Sequence, residues 1–167
     1  MESVTVRAFE PAEWQAFKTM RLAALKDVPG AYSGTYEDSL KRSDDAWRSL
    51  VRGPNHQIFG LFEGTRLIGI TGVFASDEDH SGGTAALMMS YILPEYRKRG
   101  LSRLLYDARL AWARTRPQFK LVTVSVRESN AASRKANQRF GFVITETQRR
   151  VRRDGVSEDE IFYELKL

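Results

Sequence analysis

Residues 90–102, Ser90-Tyr-Ile-Leu-Pro-Glu-Tyr-Arg-Lys-Arg-Gly-Leu-Ser102, join two different kinds of sequence. Upstream, Thr84 to Leu93 is a nearly continuous apolar run closed by Pro94, the pattern of a central strand covered on both faces. Downstream of Gly100 the period becomes 3.6. Leu101, Leu104, Leu105, Ala108 and Trp112 form a stripe along one helix, which Pro117 ends. Between strand and helix lies a basic turn with a single glycine. The N–H groups at a helix N-terminus have no internal partners and carry partial positive charge. Gly100 removes the Cβ that would keep an anion from the backbone, and Arg97, Lys98 and Arg99 add formal charge at the same mouth. The stretch therefore reads as an anion site that suits a pyrophosphate. It matches neither G-x-x-x-x-G-K-[ST] nor G-x-G-x-x-G, so it does not indicate a standard nucleotide fold.

The elements on either side follow from the same signals. Val4 to Phe9 alternates as an opening strand. Pro11 starts a helix with Phe17, Met20, Ala24 and Leu25 on one face, and Pro29-Gly30 ends it. Ala31 to Arg42 shows no period and reads as a loop. Ser43 caps a second helix whose first turn holds Asp44 and Asp45, and Gly53-Pro54-Asn55 stops it. Gln57 to Phe62 and Arg66 to Ala75 form a hairpin. Beyond the Gly100 helix come a strand from Leu121 to Val126, a helix from Asn130 to Phe140, and strands Phe142 to Val151 and Ile161 to Leu167. The order β-α-α-β-β-β-α-β-α-β-β predicts a single α/β domain over residues 1–167 with a mixed sheet. Trp14, Trp47 and Trp112 fall on helical stretches and read as packing residues.

Composition narrows the function classes. The chain has 167 residues, 42% hydrophobic and 28% charged, which excludes disorder, collagen and coiled coil. There are no cysteines, so there is no thiolate metal site and no cysteine nucleophile. His56 and His80 form no H-x-x-x-H pair, which argues against metal catalysis. No signal peptide and no membrane-length apolar run is present, and the chain reads as a cytoplasmic protein. Twenty-six Lys and Arg against 21 Asp and Glu give a net charge of +5, which favours anionic partners. A second basic cluster, Arg149, Arg150, Arg152 and Arg153, sits across an Asp154-Gly155 turn from Ser157-Glu158-Asp159-Glu160 and reads as a charged hairpin in water.

The segment Ile92-Leu93-Pro94, followed by Arg97-Lys-Arg-Gly100-Leu-Ser102, resembles the [RQ]-x-x-G-x-[GA] signature of the GNAT N-acetyltransferase superfamily. It departs from that signature at Ser102, which replaces the family's Gly or Ala. A second block, Asn130-Ala-Ala-Ser133 through Gly141-Phe142, is similar to the family's N-x-x-[AS]…GF segment, and the element order covers almost the whole chain. The resemblance implies a mixed, mostly antiparallel central sheet flanked by helices, with acetyl-CoA lying in a V-shaped opening beside the central strand. It implies that Tyr91 and Ile92 bind pantetheine through their backbones. The N–H groups of Arg97, Lys98, Arg99, Gly100, Leu101 and Ser102 would hold the pyrophosphate, and Asn130 would touch the pantetheine arm. A backbone N–H near Ile92 would act as oxyanion donor. The implied reaction is direct attack by an amine on the acetyl group, with no enzyme nucleophile and no metal.

Many relatives supply a tyrosine seven residues after the asparagine to protonate the leaving thiolate; here that position is Asn137, an amide. Ser133 stands where ribosomal-protein serine acetyltransferases similarly carry a serine. It is the expected thiolate partner, with Asn137 four residues on supporting it. The base that neutralises the amine is left open: Glu128, at the end of its strand near the expected cleft, stands beside Tyr36, Glu37, Asp38, His80 and Ser90 as a candidate. Tyr32, Tyr36 and Trp47 flank the loop that would wall the acceptor pocket. The acceptor is left open: a polyamine, aminoglycoside, lysine or protein N-terminus is compatible with the sequence. Acidic Glu37-Asp38 and Asp77-Glu78-Asp79 could attract a cationic one. Homodimerisation is common in similar proteins. Two other readings stay open, a CoA-binding regulatory member and a nucleic-acid-binding α/β domain, though the chain lacks the stacking aromatics of the latter.

Overall fold

The computed structural model describes residues 2–152 and 155–167. The expected Arg153 and the Asp154 half of the Asp154-Gly155 turn lie outside the described residues. The chain runs β1 (Val4–Ala8), α1 (Trp14–Asp27), α2 (Tyr36–Leu40), α3 (Asp44–Val51), β2 (Arg52–Gly53), β3 (His56–Glu63), β4 (Arg66–Ala75) and β5 (Thr84–Ile92). It continues through α4 (Ser102–Arg114), β6 (Leu121–Arg127), α5 (Ala131–Arg139), β7 (Val143–Val151) and β8 (Ser157–Lys166). The strands form one sheet in the order β1-β3-β4-β5-β6-β8-β7, with β2 beside β3. Every pairing is antiparallel except β5 with β6. This is the mixed α/β fold expected.

Helices cover both faces because the central strands are apolar on both. Phe9, Phe17, Trp47, Ile58 and Ile70 pack under α1 and α3, whereas Val73, Leu87, Leu110, Val122 and Phe142 pack under α4 and its neighbours. Among the described residues no helix is long and apolar enough to cross a membrane.

Four expectations change in detail. The segment read as a loop contains the one-turn helix α2: Thr35 Oγ1 accepts from the Asp38 N–H at 3.1 Å, and Glu37 and Asp38 lie in its first turn. Such a helix is held by its cap and is too short to show a period. In α4 the buried line is Leu105, Tyr106, Arg109, Leu110 and Ala113, one position off the expected stripe; the other expected members are half-buried flanks. Strand β5 is buried on both faces only from Thr84 to Leu87, and Met88 is 45% exposed. Finally, the acidic segment 157–160 belongs to β8, and Glu158 is buried.

Glu158 is the consequential correction. Its carboxylate pairs with Arg127 Nε and accepts the Ser129 N–H at 3.0 Å and the Ser129 hydroxyl at 3.1 Å. Those bonds, led by the Ser129 hydroxyl, hold its pKa below the ordinary value of 4.5. A lowered carboxylate pKa gives stability that is present above the unfolded-state value and lost as pH falls through the folded one. Glu158→Gln should therefore be less stable than the parent at pH 7 in urea unfolding, and the gap should close as the pH falls below about 4.5.

Candidate functional site

The site is a gap in the sheet. Parallel pairing between β5 and β6 covers only Thr84 with Leu121, Ala85 with Val122 and Ala86 with Thr123, after which the strands separate. The separation coincides with a bulge in β5. The register with β4 passes from Gly72–Met88 to Ile70–Tyr91, so Met89 and Ser90 together oppose Thr71. Met89 adopts φ of 60°, an unfavourable value for a side chain of its size. Thr71 Oγ1 and Ser90 Oγ meet at 2.7 Å and close the bulge from inside.

Backbone groups alternate in direction along an antiparallel strand. The Leu93 N–H donates to Ile68 O at 2.9 Å and Tyr91 is in register with Ile70, so the groups of Ser90 and Ile92 face the gap. Of the two residues expected to bind pantetheine through their backbones, Ile92 turns its groups to the gap and Tyr91 turns its groups to β4, while those of Ser90 face the gap. The two carbonyls in the gap already have partners: the Tyr32 hydroxyl donates to Ser90 O and Arg97 Nε donates to Ile92 O, each at 2.8 Å. Burial pushes the Tyr32 hydroxyl up to about 12, so it stays a donor at any physiological pH.

Below the gap lies the basic turn. Lys98 and Gly100 have φ of 61° and 73°, and open space surrounds the position of a Cβ on Gly100. The N–H groups from Lys98 to Arg103 donate to no acceptor among the described residues. Consecutive free N–H groups beside left-handed residues make an anion cradle. The side chains contribute less charge than the sequence suggests. Arg97 is held by Asp27 at 2.5 Å, lowering the Asp27 pKa, and Arg99 reaches Glu63 at 3.5 Å. The cradle is chiefly backbone.

Across the gap, the Glu158 pair fixes the end of β6, and Arg127 Nη1 also donates to Gly30 O at 3.0 Å, tying β6 to the segment after α1. Asn130 caps α5 by accepting the Ser133 N–H at 3.1 Å. Ser133 is half-buried in the first turn of α5 and Glu128 is exposed before it. Asn137 is fully buried. Its Oδ1 accepts the Tyr106 hydroxyl at 2.6 Å, while its Nδ2 has no partner. Sequence reasoning missed Tyr106, Glu158 and Asp27, which hold the walls of the gap. His80 and the acidic triplet 77–79 precede Thr84, at the opposite end of β5 from Ile92. Asp79 there is committed to Ser81 and Thr84, which lower its pKa to about 2.

A sheet split at one parallel pair, with a backbone anion cradle below the split, can be compared with known families. The Acetyltransferase (GNAT) family matches residues 21–142. The chain belongs to the GNAT acetyltransferase family.

Among solved structures, a GNAT-family acetyltransferase from Streptococcus pneumoniae superposes with a TM-score of 0.83 at 18% identity, over 99% of this chain and 100% of that one. The ribosomal-protein-S18-alanine N-acetyltransferase from Escherichia coli gives 0.70 at 20% identity, over 98% and 94%. Spermidine N-acetyltransferase from Vibrio cholerae, solved with CoA and spermine, gives 0.75 at 16%, over 98% and 95%. At these identities the likeness is one of fold. No curated protein sequence matches the chain.

The Tyr106 hydroxyl and the Asn137 amide join α4 to α5 by a side-chain hydrogen bond. Tyr106→Phe should remove the one bond to a buried amide whose other end is already unpartnered, costing about 1–3 kcal/mol in denaturant unfolding.

Proposed function

We propose that this GNAT member transfers the acetyl group of acetyl-CoA to an amine by direct attack. The observation that carries the reading is the row of unbonded N–H groups from Lys98 to Arg103 beneath the gap. Such a row suits a pyrophosphate, and the open space at Gly100 allows its close approach. Acetyl-CoA supplies the activated acyl group. The N–H groups of Ser90 and Ile92 line the gap where a thioester carbonyl would need an oxyanion donor. The pantetheine arm would run along β5 and displace or share the carbonyl contacts made by Tyr32 and Arg97. Asn130 orders the first turn of α5 beside it.

For the leaving thiolate we assign Ser133, a half-buried hydroxyl at the start of α5. Asn137 supports it by packing the helix onto α4 through Tyr106. The acceptor amine must be neutral to attack, and Glu128 is the proposed base. A second reading, CoA binding without turnover, draws on the identity of Asn137, a buried amide that has no proton to deliver at neutral pH. The basic hairpin favours nucleic acid less than its sequence suggests, since Arg149 pairs with Asp159 and Arg150 with Glu160.

A thermal-shift titration with acetyl-CoA, CoA, ATP and a short RNA tests these readings together. Acetyl-CoA at 100 times its Kd should stabilise the protein by about 2.7 kcal/mol. Gly100→Glu, which places a bulky anion at a left-handed position in the cradle, should lose the response. A shift without turnover of any amine supports the regulatory reading. A shift with RNA alone contradicts acetyl transfer.

A further inference from the structure

A cavity of about 110 Å³ lies between α1, α2, α3 and the bulge of β5. Its walls include Arg21, Ser33, Ser39, Arg42, Trp47 and Met89. Met89 is the left-handed residue beside Ser90, so the cavity adjoins the proposed thioester position on the side of the sheet that α1 covers.

Two of its walls carry buried polar atoms with nothing to bond. Arg21 is 6% exposed, its Nη1 has no hydrogen-bond partner, and its guanidinium makes no ion pair among the described residues. Trp47 is 1% exposed and its Nε1 is likewise unpartnered. Both are donors without acceptor capacity. The Tyr32 ring covers one face of the guanidinium at 4.3 Å, which leaves the edges for hydrogen bonds. Arg42 adds a second cation at the exposed rim and has no carboxylate partner among the described residues. Burial lowers the Arg21 pKa, as expected for a cation with no counter-charge. A buried charge is costly unless paired, and a guanidinium edge matches a carboxylate in shape.

Resting on the acetyl-transfer reading, we propose that this cavity is the acceptor subsite and takes the carboxylate of a small amino acid-like amine, bonded by Arg21 with Trp47 beside it. The carboxylate supplies acceptors to both orphaned donors, and Met89 places the acceptor's amine next to Ser90. The Tyr32 side chain links the two halves, since its ring stacks on Arg21 and its hydroxyl bonds Ser90 O. A polyamine or a lysine side chain would bring a cation against Arg21 and Arg42 instead. Glu37 and Asp38 do not line this cavity.

The test has two arms. In the first, thiol release from acetyl-CoA is followed with the common α-amino acids, their α-carboxamides and spermidine. Turnover of at least one acid is expected, with kcat/KM about tenfold or more above that of its amide. Arg21→Met should bring that ratio close to one, and Arg21→Lys, which keeps charge but not the planar fork, should lower it. Equal use of acid and amide, or preference for spermidine, overturns the proposal. In the second arm, the same acids and amides are titrated by thermal shift in the absence of acetyl-CoA. An acid-selective shift that Arg21→Met abolishes supports the subsite, even in a protein that gives no shift with acetyl-CoA. In that case the transfer reading fails alone. No acid-selective shift in the parent overturns the subsite, even where acetyl-CoA binds.

Discussion

Everything in this molecule that bears on function depends on β5 leaving β6 after three residue pairs. Parallel strands normally stay paired, because an abandoned edge leaves N–H and C=O groups without partners. Here the break is enforced from the other side. The β4–β5 ladder absorbs an extra residue, Met89 is forced to a positive φ, and Thr71 and Ser90 lock the distortion through their hydroxyls. A strained backbone of this kind costs of order 1–3 kcal/mol and survives only when its surroundings over-determine it. Those surroundings are the β4 ladder, the Tyr32 hydroxyl on Ser90 O and the Arg97 side chain on Ile92 O.

The far wall is braced in a different way. Arg127 extends from the end of β6 to Gly30, while Glu158 on β8 holds both Arg127 and Ser129. One buried carboxylate thus fixes the width of the gap, the turn into α5 and the segment after α1. A gap framed by separately anchored walls keeps its shape without a ligand, which is what preorganised binding requires.

Much of this was legible in the sequence, and the reasons are specific. The Pro94 stop, the basic turn and Gly100 mark a strand-to-helix junction by local chemistry alone, and the structure builds a left-handed turn with free N–H groups there. The order of strands and helices followed from period and punctuation, apart from the one-turn helix α2 and the two-residue strand β2. The bulge was not legible, because Met89 and Ser90 sit in an apolar run that carries no turn residue. Glu158 was hidden in a run of charges that looks solvated, and its burial depends on Arg127, 31 positions away. The Tyr106–Asn137 pair likewise joins two helices across 31 positions. Arg21 did leave a trace: it sits among Phe17, Met20, Ala24 and Leu25, so helical geometry alone places a cation on the buried face. The anion cradle is thus written in a local motif, whereas the walls around Arg21 depend on contacts between distant segments.

The central claim is that the edge of β5 and the turn below it are left open for acetyl-CoA. Amide hydrogen exchange measures this residue by residue. The account predicts fast exchange at Ser90, Ile92 and Lys98 to Arg103 in the free protein, against slow exchange at Val122 in the paired part of β6. Saturating acetyl-CoA should then slow the first group and leave Val122 unchanged. Slow exchange at Ser90 and Ile92 without ligand, or no protection on adding acetyl-CoA, would contradict it.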